Sequence, residues 1–593
     1  MKKVILPVLI CVILLFSAAC GSTPNGNNDN NGNNDNNGSN NNGAAWVFGD
    51  GTPVSGDASK APSAVPDFSA AQGKLEVMSW GAPKNNAAEL DYYMEAGFNT
   101  AIWTEWEGFG IEKDTSSDYG TCSHALGSAC THTLTQAMLA FEDRGFGGYI
   151  TLGNGWQQRG NGLQLGAVSN STYWYKSLIN LYKAGVDYTV FEAFHGIMVF
   201  DEPGGAYGRN GTYKDFDFLL GNTDTNGDGI TDTYTVAAPA SGPAAWLERM
   251  WGDYGLYTYN SATRVASGPS QWELYKGLFG ESIFEELNVM APFKNASYTD
   301  YKFHINMAAG EAEDNHTAAG RMFPMIISQN GKTDVAFDHY ALYYDAKEDI
   351  PTMRDTILQA NDHYGTAARD MGLPFKSFIL TGQQNPVKGF ARGDGADGYW
   401  SEAEIYWQSY LTMAFGATGI YYFQLFTSPT ESGSGAYLGI LDNVGRNKTK
   451  AFDYVKNANK RLQTVAPVLF QFSWQGVMTA IGSRNKLGYN LCFDNVSQSL
   501  ISKHYRVKFF ECSRDTLIGS FTGKSAYAGY DAFLIQNFED PYYKRADEVE
   551  IAFNNATKAL VHQNGTLSVV NLQNGAFSTT ISPGDAVVVI PIV

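Results

Sequence analysis

From Lys74 onward, short apolar runs alternate with longer stretches in which apolar residues recur every three or four positions. The runs are Leu75–Trp80, Phe98–Trp103, Gly148–Leu152, Gly196–Phe200, Lys302–Asn306, Asp334–Phe337, Ser377–Thr381 and Gly419–Phe423. Near-continuous apolar character is what a strand covered on both faces requires, and parallel sheets are built of such strands. The stretches Ala87–Ala96 and Ser401–Phe415 are amphipathic, and Gly416 follows the second as a helix stop. Strand and helix in alternation predict a parallel sheet, and eight such units favour a closed (β/α)8 barrel over an open doubly wound sheet. No Gly-x-Gly-x-x-Gly turn follows the first run, which argues further against a dinucleotide fold.

Near Leu469 the period changes. Short alternating runs such as Ala546–Phe553 and Asp585–Pro591 are separated by turn pairs at Asn564-Gly565, Asn574-Gly575 and Pro583-Gly584. This predicts an antiparallel β-sandwich of about 120 residues, a packing module by its pattern alone. The fold class is therefore α/β, with a (β/α)8 barrel over residues 45–465 and a C-terminal β-sandwich over 466–593.

The N-terminus adds an address. Lys2 and Lys3 precede an apolar run from Val4 to Phe16, and Leu15-Phe-Ser-Ala-Ala-Cys20 ends it with small residues. The run is too short for a stable span and suits a secretory signal over residues 1–19. Its ending resembles a bacterial lipobox, which implies lipidation of Cys20 and export to the cell envelope or surface. Residues 20–44 are almost all Asn, Gly and Asp, with nothing to build a core, and a coil of that length spans roughly 25 Å. The membrane is expected as a partner through the lipid only. A net charge of −19 disfavours nucleic acid and anionic lipid surfaces.

Four cysteines remain once Cys11 leaves with the signal and Cys20 is lipidated. Two local disulfides, Cys122 with Cys130 and Cys492 with Cys512, suit an exported protein; four free thiols are the alternative, and no zinc spacing is present. Asp224, Asn226, Asp228 and Asp232 place oxygens at positions 1, 3, 5 and 9 of a loop near residues 222–234, with Gly229 after the third. That is the opening of a calcium loop without a Glu at position 12, and structural calcium is the expected metal. A polar hairpin turn is the other reading. No organic cofactor is expected.

Candidate chemistry gathers at the ends of the apolar runs. His195-Gly-Ile-Met-Val-Phe-Asp-Glu-Pro-Gly204 carries a strand into Asp201 and Glu202, and Val335-Ala-Phe-Asp-His-Tyr340 carries another into Asp338. Glu105 follows the second run. In a (β/α)8 barrel, catalytic groups stand at these C-terminal strand ends. Trp80, Trp103, Trp106, Trp156, Tyr340, Tyr343 and Phe423 fall there too, and aromatics make up 14% of the chain. Their ring faces suit the C–H face of a sugar. Gln383, Gln384, Gln424, Asn306, His304 and Asn154 supply groups that could hydrogen-bond hydroxyls, with His304 equally readable as a satisfied core residue.

On these residues the chain resembles (β/α)8 glycoside hydrolases. Asn85–Asn99, ending Tyr93-Met-Glu-Ala-Gly-Phe-Asn99, is similar to their opening unit. Val199-Phe-Asp-Glu-Pro-Gly204 resembles the fourth-strand acid/base motif of barrels related to the beta-galactosidase and cellulase clan. Glu402–Phe423, ending Gly416-Ala-Thr-Gly-Ile-Tyr-Tyr-Phe423, looks like their last helix and strand. The resemblance runs from Leu75 to Pro429 and is to the superfamily. It implies Glu202 as proton donor and a nucleophilic carboxylate at the end of the seventh strand. Here that strand runs Ser377-Phe-Ile-Leu-Thr-Gly-Gln-Gln384, with an amide in place of the carboxylate. Asp338 is the best substitute, and Asp394, Asp397, Glu402 and Glu404 are further candidates; a wide separation from Glu202 would imply inversion. The expected function is a surface-tethered glycoside hydrolase of an oligo- or polysaccharide. Its alternative, favoured by Gln383, is a non-catalytic carbohydrate-binding lipoprotein on a degenerate barrel.

Overall fold

Eight of the apolar runs form a single parallel sheet: β1 (Glu76–Ser79), β2 (Thr100–Trp103), β3 (Gly147–Thr151), β4 (Phe194–Asp201), β5 (Lys302–Ala308), β6 (Val335–Asp338), β7 (Phe375–Leu380) and β8 (Gly419–Phe423). A computed structural model describes residues 51–83, 87–103, 140–151, 193–201, 233–235, 258–260, 265–267, 302–308, 332–345, 350–353, 356–382, 398–429, 436–442, 446–484 and 491–593. Each strand pairs with the next in sequence from β2 through β8, and β8 pairs with β1. The two edges, β1 and β2, meet through Asn99. Its backbone N–H donates to Val77 O at 3.0 Å, its Oδ1 accepts from Val77 N at 2.9 Å, and its Nδ2 donates to Leu75 O at 2.8 Å. One side chain thus completes the pairing where the ladder stops.

The strands are buried on both faces, which explains their unbroken apolar runs. Met78, Ile102, Tyr149, Met198, Ala336, Phe378 and Tyr421, from seven of the eight strands, pack into one inner cluster. The alternate positions, such as Val335, Phe337, Phe375 and Ile379, pack outward in the main core with the helices.

The described helices are α1 (Ala87–Glu95), α2 (Ile357–Met371), α3 (Glu402–Ala414) and α4 (Lys450–Leu469). α2 ends at Gly372, which takes a left-handed φ of 66° and donates its N–H to the carbonyls of Ala368 and Arg369. α3 starts in a capping box: Ser401 Oγ accepts from Glu404 N, and the Glu404 carboxylate accepts from Ser401 N at 2.7 Å. In the long β4–β5 insertion, Thr233–Thr235, Thr258–Asn260 and Val265–Ser267 form a small antiparallel sheet.

The C-terminal strands are β9 (Phe472–Ala480), β10 (Ile501–His504), β11 (Val507–Cys512), β12 (Thr516–Gly523), β13 (Asp531–Asn537), β14 (Asp547–Phe553), β15 (Lys558–Gln563), β16 (Thr566–Asn571), β17 (Ala576–Ile581) and β18 (Ala586–Ile592). One antiparallel sheet runs β9-β12-β13-β18-β15-β16 and the other β11-β14-β17. Between them lies an apolar core that includes Ile518, Phe533, Ile535, Val549, Ile551 and Val589. A strand at Thr52–Val54, far away in sequence, pairs in parallel with β10. The first described residues therefore associate with the C-terminal part of the chain.

The two parts share a core. α3, expected to be amphipathic, is buried around nearly its whole circumference, its polar Glu404, Gln408, Ser409 and Thr412 included. Trp407 is fully buried; its Nε1 donates to Phe538 O at 3.1 Å, and Gln536 Nε2 donates to Trp407 O at 2.8 Å. A Cβ at Gly519 would lie 2.5 Å from Ala414 O, so only glycine lets β12 approach α3 this closely. From α2, the buried Asp362 carboxylate accepts the backbone N–H groups of Ser497, Gln498 and Ser499.

Candidate functional site

Asp338 closes β6. Ala336 belongs to the inner cluster, and the two-residue period of a strand puts Asp338 on the same face, one step further along. In register it sits opposite Phe378 of β7 and Ala308 of β5. Tyr340 follows; its hydroxyl donates to Asp338 Oδ2 at 3.4 Å, and its ring lies 5.7 Å from that of Phe423. Trp80, just past β1, stands edge-on to Phe378 at 6.0 Å, and Trp80 and Tyr340 both rest on the inner cluster. Gln424 is half-buried beside Phe423. A carboxylate thus shares the C-terminal end of the strands with three aromatic rings.

Asn306 is buried on β5, opposite Ala336 on one side and Asp201 on the other. A register shift between Met198 and Phe200 brings Asp201 into that pairing. The described part of β4 ends at Asp201, so the strand delivers its chain to Glu202 at the same end of the sheet as Asp338. Trp103 closes β2. Glu202, Glu105, Trp106, Trp156 and Gln383 lie outside the described residues, as do Cys20, Cys122, Cys130, Asp224, Asn226, Asp228 and Asp232.

Two expectations change, and the open reading of His304 is decided for the core. Glu404 serves the α3 cap and is fully buried, so it is not available to the strand ends. Cys512 is a free buried thiol, not half of a disulfide with Cys492. The reason is its strand phase, since Cys512 faces the apolar core between the two sheets, where burial pushes its thiol up to about 12. His304 does not meet solvent, and its Nδ1 lies 2.8 Å from Asp334 Oδ1 inside the sheet.

His304 belongs to a charged cluster that the sequence reading missed. Lys376 Nζ lies 2.7 Å from Glu76 Oε1 and 2.7 Å from Asp334 Oδ2, and Tyr149 OH donates to Glu76 Oε1 at 3.1 Å. The ammonium sits 5.3 Å from the centres of both the Tyr149 and Tyr421 rings. Burial, then the adjacent Glu76 carboxylate, holds both tyrosine hydroxyls well above their usual range, so they stay protonated and donate. Lys376 precedes Phe378 by two residues, so the cluster lies one strand step, about 6.6 Å, below the level of Asp338. The only sequence signal is a lysine inside the apolar strand Phe375–Leu380.

A cavity of about 300 Å³, lined by Lys74, Glu76, Asn99, Glu142 and His195 among others, opens at the opposite end of β1–β4. Among the described residues, no group of three His, Cys, Asp or Glu side chains could hold a metal ion, and no helix is long and apolar enough to cross a membrane.

No family model matches the chain, and no curated protein matches it. Solved structures that resemble it are glycoside hydrolases at low sequence identity. A beta-galactosidase from the Antarctic haloarchaeon Halorubrum lacusprofundi is 12% identical, covers 66% of this chain and has a TM-score of 0.35; the present chain spans only 58% of that protein's length. A beta-galactosidase from Bacillus circulans sp. alkalophilus is 10% identical over 87% of this chain and 99% of its own, with a TM-score of 0.47. A glycoside hydrolase family 30 subfamily 8 xylanase from Clostridium acetobutylicum is 10% identical over 88% and 98%, with a TM-score of 0.36. At these identities and scores no residue role transfers to this chain.

Proposed function

We propose that this chain is an exported, lipid-anchored glycoside hydrolase acting on an oligo- or polysaccharide, with its eight parallel strands closed as a (β/α)8 barrel. The observation that carries this is Asp338, held at the C-terminal strand ends beside Tyr340, Phe423 and Trp80, two strands from the one that leads into Glu202.

Cleaving a glycosidic bond takes a proton for the leaving oxygen and a second carboxylate. Glu202 supplies the proton. Asp338 acts on the other side, either removing a proton from water or attacking the sugar carbon directly. β4 and β6 are separated by β5 alone, which puts their backbones about 10 Å apart. A carboxylate separation wide enough to hold a water would make the reaction inverting, and one of about 5 Å retaining. The aromatic rings bind the apolar face of the sugar and half-buried Gln424 is placed to meet a hydroxyl, whereas Asn306, expected to do the same, is buried one strand step below Asp338.

The second reading is a lipoprotein that binds carbohydrate without cleaving it. Gln383, an amide where the related barrels carry a nucleophile, favours it. The test is a product screen of the full chain against plant, microbial and host glycans, with Glu202→Gln and Asp338→Asn alongside. Sugar release by the wild type should fall about 10²- to 10⁴-fold in either variant, and NMR of the first-formed anomer reports inversion or retention. Binding without release from any glycan would move the assignment to the second reading.

A further inference from the structure

Tyr542 and Tyr543 are 37% and 49% exposed, and among the described residues they are the only large aromatics that stand out of the surface. The chain has 34 tyrosines and 12 tryptophans, so two neighbouring exposed rings call for a reason. Their ring centres are 5.4 Å apart with planes at 80°, forming a corner. We propose that this corner is a second saccharide-binding site, which rests on the reading of the chain as acting on a glycan.

The corner is built before any ligand arrives. Tyr542 and Tyr543 end a single 3-10 turn, Pro541–Tyr543, whose start is fixed by the Asp540 carboxylate accepting from Tyr542 N at 3.0 Å. Lys544 closes the turn in the left-handed region, with its N–H bonded to Pro541 O. The buried Asn537 side chain holds the Arg545 carbonyl at 2.9 Å. The Arg545 guanidinium covers one side of the Tyr543 ring at 4.9 Å and pairs with Glu539 at 2.7 Å. Rings fixed in this way lose little conformational freedom on binding.

The chemistry fits a sugar better than a protein partner. A protein-docking patch needs a contiguous apolar centre, whereas these rings are flanked directly by Glu539, Asp540, Lys544 and Arg545. A saccharide presents a C–H face to stack on a ring and a rim of hydroxyls for flanking polar groups. Position supports the same occupant. The turn packs against α3, and the chain just before it is fastened there by the Trp407–Phe538 stack and hydrogen bond. α3 follows β7, so its first residues stand at the C-terminal end of the strands, the end that carries Asp338. The corner thus lies on the helix that follows β7.

The test is affinity electrophoresis of the full chain through gels containing hydroxyethylcellulose, galactan, arabinoxylan or mannan, with hydrolysis of the same polymers measured in parallel. At least one polymer should retard the wild type. Tyr543→Ala should weaken that retention about 2- to 10-fold at an unchanged melting temperature, and Tyr543→Phe should keep most of it. Retention that is lost with Tyr543→Ala but unaccompanied by hydrolysis supports this site while removing the catalytic reading. Equal retention of wild type, Tyr543→Ala and the double variant Tyr542→Ala/Tyr543→Ala overturns it, as does a wild type that no polymer retards.

Discussion

Inside the parallel sheet Lys376 lies between the rings of Tyr149 and Tyr421 with a carboxylate on either side, whereas the space between the two C-terminal sheets holds Ile518, Phe533, Ile535, Val549 and Val589. The C-terminal region also buries an ion pair, but outside that apolar core. Arg506, in the turn between β10 and β11, binds Asp531 and reaches the carbonyls of Ala58 and Gly529. The contrast teaches what each region can tolerate. An apolar core is held by area and shape, and it degrades gradually when atoms are removed. A buried charge cluster holds only while every member has its partner, because the desolvation of each ion is offset by the others. The parallel sheet is thus locked by a few specific pairs directly beneath its candidate site.

The largest effect should come from breaking the cluster. Lys376→Met removes the ammonium that Glu76 and Asp334 share, and should cost about 3–5 kcal/mol in denaturant unfolding. Adding Glu76→Gln should recover part of that loss. A cost below about 1 kcal/mol would show that the interior charges are not a lock.

A smaller effect concerns the C-terminal region and pH. Burial holds the His504 imidazole down at about 4, and its Nδ1 accepts the Arg506 N–H at 3.1 Å, so it is neutral when folded. Below the unfolded value near 6.5 the unfolded chain binds a proton that the folded chain refuses. This contribution is complete above pH 6.5 and drains as pH falls to about 4, by about 3 kcal/mol at most. Asp547 works in the opposite sense: burial pushes it up to about 6, so its contribution favours the folded state below 3.8 and is lost as pH rises through 6. Melting curves of wild type and His504→Gln between pH 4 and 7 separate the two. The variant should lose less stability on acidification, and parallel curves would discard the assignment. The smallest effect is expected from Ile535→Val in the sandwich core, about 0.5–1.5 kcal/mol by chemical denaturation. If it matched Lys376→Met, the contrast between the two regions would fail.

The strands of the parallel sheet were legible because both of their faces are buried. Gly419–Phe423 coincides with β8, and Leu75–Trp80 brackets β1 by a residue at each end. The sandwich strands were legible by alternation, as in Ala546–Phe553 for β14. Asp338 was legible at a strand end, since local period and position along a strand are properties of neighbouring residues. The charged cluster was not. Glu76, Asp334, His304 and Lys376 come from β1, the approach to β6, β5 and β7, and no local pattern links them. Cys512 was misread for the same reason, because closeness to Cys492 in sequence says nothing about which way a strand side chain faces.

The sequence by itself determined the local quantities: which runs are strands, which stretches are helices, and where a carboxylate terminates a buried strand. The order of covered and exposed residues along the backbone is enough for that, since burial imposes its period directly on the chain. Tertiary structure alone decided which distant charges share one desolvated space, that Thr52–Val54 joins β10, and that two tyrosines of one turn meet at a right angle. Those are contacts between residues far apart in sequence, or orientations fixed by packing, and the free energy that selects them exists only once the chain has closed on itself.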